Sequence, residues 1–421
     1  MTTKTYAFQR SAGLLILLIS WLPLQLAAMP LNEAVALALE RDAGLHALSA
    51  RADARDEYAV AASTLPDPEI FVGAEGLPLN DPLGADMMTM YMIGVRQQFP
   101  PGNSRRLAGD RARTESQALR RQRQQRQLEV SALVRQAWLS WIAASASLEL
   151  AEQGLEAFET LLELTKARFR AGTGRQRDTD QARLERALLA RQVLDAQSRV
   201  DQTASQLARW TGVMPAGSAP ELPTWSESDD YARLLERLEA HPALASDQLL
   251  IEAGELGTEL ERQSYRPMWM VEGGYGHQRG RDPMGMGRQP DRLFAMVSVS
   301  LPLFTDNRQD RRVAAAEADV DALVHQRMSR LQEWQGRLRT ALSQQRNQQR
   351  RRMLVEEIIL PDAEQTLAST LLAYQRDQAT FDELVRARLA KIEQQQALID
   401  TRLDWLLARS ELAYLIAEEL Q

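Results

Sequence analysis

Residues 87–95 read MMTMYMIGV, placing Met88, Met90 and Met92 at every second position. Alternating thioethers suit a soft cation such as Cu(I) or Ag(I), a lipid-facing wall, or plain packing. The chain has no cysteine, so no thiolate can join them. Its four histidines, His46, His241, His277 and His325, form no HxxxH pair, and no phosphate-cradling glycine motif or nucleophile elbow accompanies them. His277, beside a strand-like stretch, is the one placed to touch a metal, yet a lone histidine at a strand end is ordinarily surface. No catalytic constellation, cofactor or metal site is expected, and the chain is read as a non-enzyme. What the methionines do depends on the elements that carry them.

Those elements belong to an exported chain. Residues 1–28 have a basic start (Lys4, Arg10), an apolar run from Leu14 to Leu26 and small residues Ala27 and Ala28, the layout of a secretory signal peptide. The apolar run is shorter than the roughly 20 residues that a spanning helix needs. The formal charge of −7 becomes −9 without the two leader cations, which argues against a nucleic-acid partner.

A segment rich in Pro, Gly and Ser, 213–228, divides the remainder into repeats at 29–212 and 229–421. Each repeat runs through a helical segment, two short alternating stretches, a very long helix, a break and a second helix. A spacing of about 200 residues marks a duplicated domain rather than a solenoid. The seam Val130, Val134, Ala137, Trp141, Ala144, Leu148, Ala151, Leu155, Phe158, Leu162, Thr165, Phe169 alternates steps of four and three, which is coiled-coil spacing. Leu360, Ala363, Leu367, Thr370 and Tyr374 repeat its last steps. The first helix is expected from about Ser104 to Phe169, some 100 Å at about 1.5 Å per residue. Its opening third, 103–127, lacks large apolar residues and reads as a helix wetted on most sides, as does 335–352.

Four stretches, 69–77, 88–99, 268–277 and 293–301, each approach the roughly 9–11 residues of a tilted membrane-spanning strand, and they come as two pairs. Parity assigns their faces. Tyr91, Ile93 and Val95 share one side; Met88, Met90, Met92, Gly94, Arg96 and Gln98 share the other. In the third stretch Trp269, Val271 and Tyr275 oppose Glu272. The charged side cannot be the lipid side, so Met88, Met90, Met92 and Glu272 are expected to face a water-filled lumen. Four strands cannot close alone and an open edge in lipid is forbidden, so the chain must oligomerise. Three copies would give a twelve-stranded barrel extended by a tube of long helices.

In this arrangement the chain resembles the outer-membrane efflux protein family typified by TolC, across nearly the whole mature sequence. The resemblance implies a mainly α fold with a small β part, and a homotrimer whose β-barrel lies in outer-membrane lipid and whose α-barrel spans the periplasm. It implies partnership with a periplasmic adaptor (membrane fusion protein) and an inner-membrane pump of the RND type. Two helix-turn-helix tips would close the inner end and meet those partners. The family tip has an aromatic, a glycine three residues on and an acid opening the returning helix: here Phe169, Gly172 and Asp178, then Tyr374, Thr380, Phe381 and Asp382, with Asp377 where glycine is usual. Asp178 and Asp382 are expected to favour their helix starts by capping and dipole interaction, and to recur as a ring at the pore entrance. The LPDP at 65–68 and the short first hairpin loop look most like the heavy-metal efflux branch, with drugs as the other cargo class. A periplasmic coiled-coil adaptor or structural rod is the competing reading.

Overall fold

The computed structural model describes residues 29–79, 88–227, 230–278 and 287–420. Residues 1–28, expected as a signal peptide, most of both strand-to-strand loops and the end of the linker lie outside them. The first repeat comprises α1 (Leu31–Arg41), α2 (Ala43–Ser63), β1 (Glu69–Glu75), β2 (Met90–Phe99), α3 (Ser104–Arg170) and α4 (Gln176–Thr211). The second comprises α5 (Tyr231–Glu239), α6 (Pro242–Arg262), β3 (Met268–Gln278), β4 (Arg292–Ser300), α7 (Gln309–Leu354), α8 (Leu360–Gln375) and α9 (Phe381–Leu415).

The duplication extends to lengths. α2 and α6 each have 21 residues. α3 has 67; α7, the π-helical turn Val355–Ile359 and α8 have 46, 5 and 16, together also 67. That second rod is one helix interrupted. Pro361 lacks an N–H and its ring crowds the preceding turn, so the chain widens there and Leu360 N–H bonds Val355 O, five residues back. A heptad pattern alone does not place this π turn.

Heptad residues of α3 from Val130 to Thr165 are buried or half-buried, whereas Phe169, at the end of the seam, is 46% exposed. One core joins α1, the middle of α3, the end of α4 and Trp405 and Leu406 of α9; a second joins α5, α7 and the last turns of α9. A third lies at the far end, around Phe158, Leu162, Tyr374 and Phe381.

The opening third of α3 is exposed or half-exposed over most of its residues, as expected, but carries a packed stripe. Leu107, Gly109, Ala112, Ser116 and Ala118 are buried. They pack closely on α2 and α6, whose contact faces are equally small: Ser116 Oγ donates to Ala52 O at 3.1 Å, and Ser246 Oγ to Ala118 O at 3.1 Å. Small side chains let helix axes approach and bury surface without a large apolar residue. Leu338, Ala341, Leu342 and Gln345 are likewise buried within 335–352. Ion pairs bridge the rims, including Arg126–Asp42 at 2.8 Å, where the guanidinium holds the Asp42 carboxyl below the usual carboxylate range.

The strands, expected as two pairs, form a single antiparallel sheet in the order β1-β2-β3-β4. The β2–β3 pairing joins the two repeats, with Gly94 opposite Gly274 and Arg96 opposite Glu272.

Candidate functional site

Two regions carry the features expected to act: the sheet and the helix tips. On the sheet, burial follows parity. Ile93 and Val95 of β2 are exposed while Met92, Gly94 and Arg96 between and beside them are half-buried or buried. On β3, Trp269, Val271 and Tyr275 are exposed, with Met270 half-buried and Glu272 buried. Ile70, Val72, Leu293, Val297 and Val299 extend the exposed apolar face across both outer strands. A face that is apolar on all four strands, except for Gln97 opposite Val271 and His277 opposite Tyr91, and that is turned to the surroundings is the pattern of a wall in lipid. On the other face Arg96 Nε donates to Glu272 Oε2 at 2.9 Å, and its Nη1 lies 3.7 Å from Glu69 Oε2.

Met90 and Met92 therefore share the face of Arg96 and Glu272, as parity requires. Met88 does not: β2 starts at Met90, and Met88 stands 74% exposed in the turn before it, where Thr89 Oγ1 ties the chain to Gly76 O at 3.0 Å. His277 pairs with Asp291 at 2.7 Å. Among the described residues no group of three or more His, Cys, Asp or Glu is arranged to hold a metal ion.

At the far end α3 turns into α4 and α8 into α9 through the same backbone pattern, 205 positions apart. Gly172 N–H bonds Phe169 O at 3.0 Å and Asp377 N–H bonds Tyr374 O at 3.2 Å; Thr173 N–H reaches Arg168 O and Gln378 N–H reaches Ala373 O. Gly172 has φ 73° and Asp377 φ 59°, so the aspartate occupies the left-handed position where glycine is usual. It pairs with Arg168 of the other tip, whose Nη1 also donates to Tyr374 O at 3.1 Å and whose guanidinium lies 4.8 Å from the Tyr374 ring centre. That cross-tip pair accounts for an aspartate at a position costing roughly 1–2 kcal/mol for an ordinary side chain. Asp377→Gly, losing the pair but relieving the backbone, is expected to leave thermal stability within about 1 kcal/mol, while Asp377→Ala loses both and falls lower. A melting series of the three proteins checks the order.

The same alignment corrects the roles of the acids. Asp178 and Asp382 are not equivalent: Asp178 matches Glu383, each the third residue of its helix. The cap of α9 is Thr380, in a capping box with Glu383, and the backbone and hydroxyl of Thr380 hold the Glu383 carboxyl below its usual range. Asp382 instead pairs with Arg386 and accepts from Gln181 on α4 at 3.1 Å, a further bond between tips. Phe381 is buried against Tyr374, ring centres 5.9 Å apart. The tyrosine is buried and its counterpart Phe169 is not, so the two tips share a backbone but not a surface. Arg168 was not singled out from the sequence; its signal was an arginine beside the seam-ending aromatic in one repeat, with alanine in the other.

A hairpin of long helices under a four-stranded sheet with one apolar face can now be set beside known proteins. Residues 34–213 match the outer membrane efflux protein family. That family match lies in the first repeat. The chain is similar to VceC, an outer membrane protein from Vibrio cholerae (19% identity, TM-score 0.74, covering 93% of this chain and 97% of that one). It is similar to the MtrE outer membrane channel of Neisseria gonorrhoeae, solved in its open state (16%, 0.76, 93% and 89%), and to CusC, whose structures concern transmembrane channel formation (15%, 0.77, 92% and 92%). At these identities the likeness is one of fold. No curated protein matches. No helix among the described residues is long and apolar enough to cross a membrane.

Proposed function

We propose that the chain is the outer-membrane duct of a tripartite efflux system, a homotrimer that takes cargo from an inner-membrane RND-type pump and a periplasmic adaptor. The observation that carries this reading is the sheet: four strands, one face predominantly apolar and exposed, the other bearing Arg96, Glu272, Met90 and Met92, with β1 and β4 as edges. An edge of unpaired backbone groups is intolerable in lipid, so copies must supply the missing partners. Three copies place twelve strands around water and six rods of about 100 Å below them. The half-exposed part of the second-repeat seam, Leu360 to Thr370, is then covered by neighbouring copies.

The tips form the inner closure. Arg168 joins α3 to the turn between α8 and α9 in one copy, so opening has to move the two hairpins apart against that pair. The family match in the first repeat and the fold shared with VceC, MtrE and CusC support the outer-membrane placement. Heavy-metal cargo rests on LPDP at 65–68 and the short first loop alone. Purified trimer in a planar bilayer is expected to conduct weakly, and Arg168→Ala to raise the open fraction several-fold. Recovery of the protein from the soluble periplasm without detergent would instead favour the adaptor or rod.

A further inference from the structure

Where α7 and α9 pass the start of α5 they leave a cavity of about 380 Å³. Gln345 of α7 and Trp405 of α9 line it, only 3% and 4% exposed, and neither Gln345 Nε2 nor Trp405 Nε1 has a hydrogen-bond partner among the described residues. Buried N–H groups are ordinarily paired, so two orphaned donors in one cavity wall call for an acceptor. Arg346 and Arg350, one helical turn apart on α7, line the same cavity, and Glu227 and Asp230 reach it from the linker and the cap of α5. All four are exposed, and none is in an ion pair among the described residues. Gln349 Oε1, on the same wall, is buried and equally without a partner.

The first repeat builds the same level of its rod without these groups. At the 205-residue spacing that relates the tips, Gln345, Arg346, Gln349 and Arg350 correspond to Ser140, Trp141, Ala144 and Ser145, and Trp405 to Val200. Trp141 there is part of the core. The duplicated scaffold therefore packs without a polar set at this level, and the second repeat carries one for another reason. Water satisfies two N–H donors, but it gives no reason for unpaired charges of both signs supplied by separate elements. A simple anion suits the arginines and the donors and is repelled by the two acids; a metal cation suits the acids alone. A ligand bearing both charges answers every group in the wall.

We propose that this cavity binds a zwitterionic amino acid or short peptide, its carboxylate held by Arg346, Arg350 and the Gln345 and Trp405 N–H groups and its ammonium by Glu227, Asp230 and Gln349 Oε1. The site stands on the chain's own geometry; only the source of its ligand rests on the duct reading, which carries this level of the rod through the periplasm. Free peptides and the peptides of the cell wall share the required chemistry.

Calorimetric titration of the full-length protein in detergent with D-alanyl-D-alanine, its N-acetyl form and its C-terminal amide compares the two charges together with each alone. The wild type is expected to bind the free dipeptide about 10-fold more tightly than either blocked form. Arg346→Gln with Arg350→Gln, at exposed positions the fold does not depend on, is expected to weaken that binding by about 10-fold. Trp405→Phe, which keeps a ring in the core and removes the N–H, is expected to weaken it about 3-fold. No binding of the free dipeptide by the wild type overturns the site, as does equal binding of the three peptides or undiminished binding in both variants. Co-sedimentation with purified cell-wall sacculi that the dipeptide reverses assigns the wall as the source, and dipeptide binding without co-sedimentation assigns a free peptide. An absence of conductance from the trimer overturns the duct reading and leaves the titration as it stands.

Discussion

Arg409→Ala is expected to destabilise the fold by about 3 kcal/mol, while Arg135→Met, at the neighbouring buried arginine, is expected to cost nothing or to stabilise. Both guanidiniums are buried, at 2% and 5% exposure. Arg409 is held on two sides, with only its Nη1 left without a hydrogen-bond partner among the described residues: Nε donates to Ser226 O at 3.0 Å and Nη2 to Glu418 Oε1 at 2.6 Å. It thereby fastens the inter-repeat linker and the residues after α9 to the same core. Removal breaks both bonds and leaves a cavity, although Arg237 remains 3.3 Å from Glu418 to hold part of the charge. Arg135 has a long 3.5 Å contact with Ser410 Oγ and lies 6.0 Å from the Trp225 ring centre, and its Nε has no hydrogen-bond partner among the described residues. Burial, and then the charge of Arg409, push its pKa down to about 10. A charge the fold would rather discard is replaced by methionine without loss. Denaturant titration of both variants in detergent checks this, and an Arg135→Met cost equal to that of Arg409→Ala would sink it.

What the sequence made legible follows from which interactions are local. The span of α3 was readable because its heptad seam runs unbroken to Phe169, and the strands because their parity is local. Their bounds moved by one or two residues, which cost Met88 its place on the wall. Three things were not readable in the same way. The packing of 103–127 depends on α2 and α6 supplying equally small faces, so the close-packed stripe on a helix poor in large apolar residues was hidden. Pro361 announced a disturbance but not its form, since a π turn and a kink are alternative answers to one missing N–H. The pairing of Arg96 with Glu272 and of Arg168 with Asp377 joins residues about 200 positions apart, and only the shared parity of the first pair was visible in advance. The acids at the tips show the same limit: Asp382 and Asp178 are both acids near a helix start, and only the turn hydrogen bonds reveal that Glu383 is the true counterpart.

Histidine 241 sets a pH dependence that no sequence pattern announced. It is fully buried at the start of α6, where Nδ1 accepts from Ala243 N–H at 3.1 Å, and its ring meets Trp334 and Tyr414 edge-on at 4.7 and 5.6 Å. Arg337 lies over both of those aromatics, so the nearest charge is a cation, itself paired with Glu411 at 2.7 Å. Burial pushes the His241 pKa down to about 4, offset only in part by the Tyr414 backbone. Above about pH 6.5 the ring is neutral folded or unfolded and contributes no slope. Between about 6.5 and 4 the unfolded chain takes up a proton that the folded chain refuses, so stability falls as pH falls. The loss is about 2 kcal/mol at pH 5 and tends towards about 3 kcal/mol below pH 4. His241→Asn retains a short acceptor for Ala243 N–H and removes the titration. It is expected to be less stable than wild type at pH 7.5, because the aromatic cage loses volume, yet to lose far less on acidification to pH 5. Thermal unfolding at both pH values separates the two effects, and parallel losses in wild type and variant would assign the acid sensitivity to other groups.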